Sequence, residues 1–136
     1  MAQQADRTTM TQAVYTRSTA AEVNAGKTLV AAVSGMKFRL VDFTMIAIGG
    51  AAATATAVNL LGTRSAASVT LAAVAVAGLT RSAVVKPDNA NVTVLADGAS
   101  FTVLDANTAI TISSTTNNLA TATHIDTIIV YACEKA

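Results

Sequence analysis

Charge is scarce in this 136-residue sequence: Asp, Glu, Lys and Arg together make up 12%, about half the usual share for a soluble domain. Tryptophan is absent, aromatics reach 4%, and there is one cysteine (Cys133), one histidine (His124) and one proline (Pro87). Each shortage excludes something. A lone cysteine forms no intrachain disulfide, which fits synthesis in a reducing compartment. One His and one Cys cannot supply the four ligands of a tetrahedral zinc site. The basic stripe and stacking aromatics of a nucleic-acid binder are missing. So are the exposed aromatics of a sugar-binding module, since Tyr15 and Tyr131 are the only tyrosines.

Catalytic motifs fare no better. Gly26-Lys27-Thr28 matches the end of a phosphate-binding loop, but the leading glycine of that motif is replaced by Ala21 and a strand pattern follows instead of a helix. The triplet reads as a turn. His124 opens a strand beside Asp126, and nothing in the spacing supplies a nucleophile for it. Asp88-Asn89-Ala90-Asn91 lacks the alternating ligands of a calcium loop. The chain therefore reads as a non-enzyme with no catalytic residue, cofactor, metal or small-molecule substrate.

What is present is a hydrophobic share of 52%, drawn from Ala, Val, Ile and Leu, with Thr, Ser and Asn as the main polar residues. A net charge of +1 gives little repulsion between copies. A surface this weakly hydrated is expected to be hidden against copies of itself or a partner. Residues 1–86 carry eight basic and three acidic side chains, and residues 87–136 one basic and five acidic, a balance of +5 followed by −4. Two poles would suit contact between neighbouring copies, although interleaving strands would cancel them.

The length suits one domain without staples. Residues 1–12 are polar and lack the apolar core of a secretory leader. The uncharged run from Phe43 to Thr63 is long enough to cross a bilayer, but Gly49-Gly50, Thr54, Thr56 and Asn59 interrupt it and its flanks alternate with a period of two. It reads as strands, not as a membrane span.

Along the chain, residues 1–13 predict a flexible N-terminal arm and residues 14–136 a single β-sandwich or jelly-roll domain of about eight to ten short strands. Strands are predicted at 14–18, 28–33, 37–48, 56–61, 68–76, 84–85, 92–95, 101–104, 109–113 and 124–133, with turns at 24–27, 34–35, 62–65, 87–89 and 115–118. Ala96-Asp97-Gly98 predicts a hairpin turn between two of them. In KFRLVDFTMIAI the apolar phase slips, which predicts a β-bulge near Leu40-Val41. The last strand, HIDTIIVYAC, is apolar on both faces from Ile128 onward, so it is expected to be central or covered by a neighbour. Cys133 is expected to be a buried free thiol.

A polar arm, then LVAAVSGMKFRLVDFTMIAIGGAAA, then Ala/Val/Thr strands and the closing HIDTIIVYACEK: in style this resembles the small virion proteins of tailed bacteriophages, in particular jelly-roll capsid decoration (cement) proteins. The resemblance implies a non-enzymatic protein made in the host cytoplasm and carried in many copies on the capsid exterior. There it would stabilise the shell by bridging major capsid protein subunits, with copies of itself (dimer or trimer) and the major capsid protein as partners. Nucleic acid and membrane are not among them. No individual residue is carried over from the family. The expected protein-contact residues are Ala2, Gln3, Gln4 and Arg7 on the arm, with Arg17, Lys37 and Arg39 on the first strands. The alternatives are another phage component (tail, neck or head fibre) or a bacterial adhesin or pilin-like subunit.

Overall fold

A computed structural model describes residues 9–136. Among the described residues there are nine strands: β1 (Thr9–Thr19), β2 (Lys27–Val30), β3 (Met36–Ile48), β4 (Ala57–Arg64), β5 (Ala67–Ala75), β6 (Val84–Val85), β7 (Val92–Val94), β8 (Ile110–Ser114) and β9 (His124–Lys135). One short helix, α1 (Ala20–Ala25), and 3₁₀ turns at Val76–Gly78 and Ala96–Phe101 complete the elements. The strands form two antiparallel sheets, ordered β1-β9-β3-β6 and β2-β8-β4-β5-β7. Phe38, Leu40, Phe43, Met45, Ile125 and Ile129 from the first sheet meet Val58, Leu60, Leu71, Val74, Ile110 and Ile112 from the second in one buried core. This is the all-β sandwich that the turn spacing predicts. No helix among the described residues is long and apolar enough to cross a membrane.

The predicted bulge forms. β3 pairs with β9 in register up to Leu40↔Tyr131 and resumes at Asp42↔Val130. Val41 is the extra residue and points to solvent. The slip keeps Phe38 and Leu40 before it, and Phe43, Met45 and Ala47 after it, all on the core side. β9 lies between β1 and β3, so it is central in its sheet; its inner face (Ile125, Ile129, Cys133) enters the core, while Ile128 on its outer face stays 39% exposed. Cys133 is buried and free.

Four expectations need correction. The first strand starts before residue 14: Thr9–Ala13 belong to β1 and pair with Val130–Glu134. Threonine-rich backbone favours a strand, and β9 is long enough to offer it partners. Residues 1–8 lie outside the described set. Second, the turn expected at 24–27 is the end of α1. Thr19 caps that helix: its hydroxyl accepts from the Glu22 amide (3.1 Å), and the Glu22 carboxylate accepts from the Thr19 amide (2.8 Å). Third, Gly62 to Arg64 remain in β4, and the turn is Ser65-Ala66. Both turn residues have positive φ, and the Asp105 carboxylate accepts from both of their amides at 3.0 and 2.8 Å. Fourth, residues 96–101 wind as 3₁₀ turns and 101–104 form no strand. The buried Ser100 hydroxyl accepts from the Leu95 amide (2.8 Å) and donates to the Leu71 carbonyl, which ties the segment to β5 and leaves no hairpin.

Candidate protein-contact surface

The outer face of the first sheet follows from its register, because paired residues in antiparallel strands share a face. Across β1, β9 and β3 the rows read Thr11–Ala132–Arg39, Ala13–Val130–Asp42, Tyr15–Ile128–Thr44 and Arg17–Asp126–Ile46, the last extended by Val84 of β6. The result is an apolar strip open to solvent. Tyr15 is 59% exposed, Val84 59%, Val41 46% and Ile128 39%, and Ala13, Val130 and Ile46 fill the gaps between them. The outer face of the second sheet differs. Its rows read Thr28–Thr111–Leu61–Thr70 and Ser113–Asn59–Ala73–Thr93, mainly small and hydroxylic. One face of the sandwich is built for water and the other carries side chains that gain by leaving it.

Charges flank the strip. Arg17 grips Asp126 with two bonds, Nε to Oδ1 at 2.8 Å and Nη2 to Oδ2 at 2.9 Å, and the Tyr15 hydroxyl donates to Oδ2 at 3.0 Å. Asp126 is buried although it faces outward, because the guanidinium and the Tyr15 ring lie over it. Arg39 reaches Glu134 at 2.7 Å, and Lys86 lies 3.6 Å from Asp42. In Arg17–Asp126 and Arg39–Glu134 a basic residue of the first half meets an acidic residue of the second, so interleaving cancels part of the asymmetry of the sequence, while Lys86–Asp42 lies within the first half. Of the expected contact residues, Lys37 and Arg39 lie on one face around Glu134, while Arg17 sits toward the other end of β9. Ala2, Gln3, Gln4 and Arg7 fall outside the described residues. The sequence reading missed Tyr15, Val41 and Val84, whose outward facing is set by pairing partners far along the chain. The signal for Ile128 was legible in the doubly apolar β9.

The Arg17 hydrogen bond is the main cause holding the Asp126 carboxyl below its ordinary pKa; burial opposes it, and the Tyr15 hydroxyl adds to it. With a folded value under the unfolded one of about 3.9, Asp126 adds stability that is complete above that pH and is lost as pH falls through the folded value. Asp126→Asn should therefore flatten the acid limb of the Tm–pH profile, measured by thermal unfolding between neutral and acid pH. An acid limb identical to the wild type would rule out this pair as its source.

Among the described residues no pocket is found, and no three His, Cys, Asp or Glu side chains converge on a metal position. The geometry offers a surface instead: a β-sandwich with one outer face of large apolar side chains. No family model and no curated protein matches the chain. Among solved structures it is similar to a chain of the cyanophage Pam1 capsid asymmetric unit, with 15% identity, a TM-score of 0.47, and coverage of 94% of this chain and 85% of that one. It is also similar to a chain of the acid-stable capsid of Helicobacter pylori bacteriophage KHP30, with 14% identity, a TM-score of 0.48, and coverage of 93% and 90%.

Proposed function

We propose that this chain is a structural virion protein of a tailed bacteriophage that binds the capsid exterior and stabilises it by bridging major capsid protein subunits. The observation that carries the reading is the apolar strip on the outer face of the first sheet, opposite a second face that lacks one. A stable contact needs roughly 800 Å² from each partner. Where a single contact is weak, repetition over a lattice supplies avidity. The pairs Arg17–Asp126 and Arg39–Glu134, with Lys37, flank the strip and would set orientation and encounter rate more than affinity. The segment with Ala2, Gln3, Gln4 and Arg7, which precedes Thr9 in the sequence, would lie across a neighbouring subunit.

The test is rebinding to expanded shells stripped of this protein, with occupancy read by electron microscopy. Wild type should saturate the shells. Ile128→Glu, at an exposed position, should fold normally and lose about tenfold or more in affinity, the cost expected for burying an unpaired carboxylate. Deleting residues 1–8 should weaken binding and leave the fold intact. Full occupancy by Ile128→Glu would remove the strip from the contact. Failure of the wild type to bind any shell would end the capsid reading.

A further inference from the structure

Three of the four sheet edges are short: β2 has four residues, β7 three and β6 two. β1 is the exception. It runs for 11 residues, about 36 Å of strand, with β9 on one side and, among the described residues, no strand on the other. Edge strands are ordinarily blunted with proline, lysine, a bulge or brevity, because their unpaired amides and carbonyls invite another strand. β1 reads TMTQAVYTRST. It has no proline and no lysine, its pairing with β9 is unbroken by any bulge, and Arg17 is its one charge.

We infer that β1 pairs antiparallel with β1 of a second copy, centred on Val14, joining two four-stranded sheets into one of eight. The side chains fit this register. A two-fold axis at Val14 opposes residues whose numbers sum to 28, so all eleven residues from Thr9 to Thr19 find a partner. Tyr15, the bulky exposed residue, falls opposite Ala13, the small one, twice by symmetry. Each Arg17 falls opposite Thr11 of the other copy, so the two guanidiniums do not confront each other. The outer rows then run Ile128–Tyr15–Ala13–Val130 across the junction, since Tyr15 pairs with Ile128 and Ala13 with Val130 within each copy. The two apolar strips become one surface. Isologous contact of this kind is the commonest route to a closed dimer. The pairing concerns self-association alone and holds whether or not the joined surface docks on a capsid.

The experiment is the native mass of the purified full chain across a dilution series, for wild type, Thr11→Lys and Thr11→Glu. Thr11 is exposed, so both variants should fold. In this register Thr11→Lys sets two like-charge pairs against Arg17, and Thr11→Glu creates two opposite-charge pairs. The dimer dissociation constant should rise about tenfold in the first and fall by a similar factor in the second at low salt, both shifts shrinking as salt is added. Equal shifts of one sign, or none, overturn the register. A trimer, or a monomer at every concentration, overturns the pairing. A monomer that dimerises only after residues 1–8 are deleted also overturns it, by showing that this chain's own N-terminal segment takes the edge. Shell binding is scored separately, so either idea can fail alone.

Discussion

Replacing Phe43 with alanine should cost about 3–5 kcal/mol of folding stability. Phe43 is fully buried on the core side of β3, in register with Ile129 of β9, immediately after the bulge. The position is sensitive for two reasons. Aromatics are 4% of the chain, so the core holds few large side chains that could fill the void. The core it belongs to is made mostly of residues the size of Met45, Val58, Leu60 and Ile112, held by strands paired on both sides. For a domain whose total stability is about 5–15 kcal/mol, the loss takes a large fraction. Denaturant unfolding of both proteins at one pH measures it, with m-values compared to confirm that the same surface is exposed. Ile128→Ala, on the opposite face of the same sheet, should stay within about 0.5 kcal/mol. Equal costs at the two positions would mean that the assignment of inner and outer faces is wrong.

Gly62→Ala should destabilise by about 1–3 kcal/mol through overpacking. A Cβ at Gly62 would sit 2.7 Å and 2.9 Å from the two Leu104 methyls and 3.2 Å from Leu71 Cδ1. Leu104 is held there from the backbone: its amide donates to the Phe38 carbonyl at 2.8 Å, and the next amide, Asp105, donates to the Thr63 carbonyl at 2.9 Å. It therefore cannot retreat by a small shift of its loop. Leu104→Ala alone should cost about 2–5 kcal/mol by emptying a buried site. The double variant should cost less than the sum, by about 0.5–3 kcal/mol, because each change relieves the other. Strict additivity would show that the two residues do not share the space.

The same pair lies beyond the reach of local sequence pattern. Local pattern places the start of a turn at Gly62, because glycine usually marks one. Here it is glycine because Leu104 crosses the strand, a contact between residues too far apart in the chain for local pattern to register. The true turn, Ser65-Ala66, carries no Asn-Gly signal, since its left-handed backbone is held by Asp105 from another part of the chain. β3, its bulge and β9 were legible because period-two alternation is local and long there. For α1 the local signal is the capping box Thr19-x-x-Glu22, but so short a helix leaves little periodicity beside it. The candidate surface was half legible. The charges Arg17, Lys37 and Arg39 were visible, but the strip they flank depends on which strands pair, and no single stretch of sequence states that.

The pairing of Thr9 with Glu134 puts both ends of the described chain at one corner of the sheet. Tension applied through those ends would peel β1 from β9 one rung at a time, the weakest way to load a ladder of hydrogen bonds. Tension applied through the broad face would spread over every rung of β1, β9 and β3 together. A sheet of this build resists load carried across its face and yields when it is tugged by its ends.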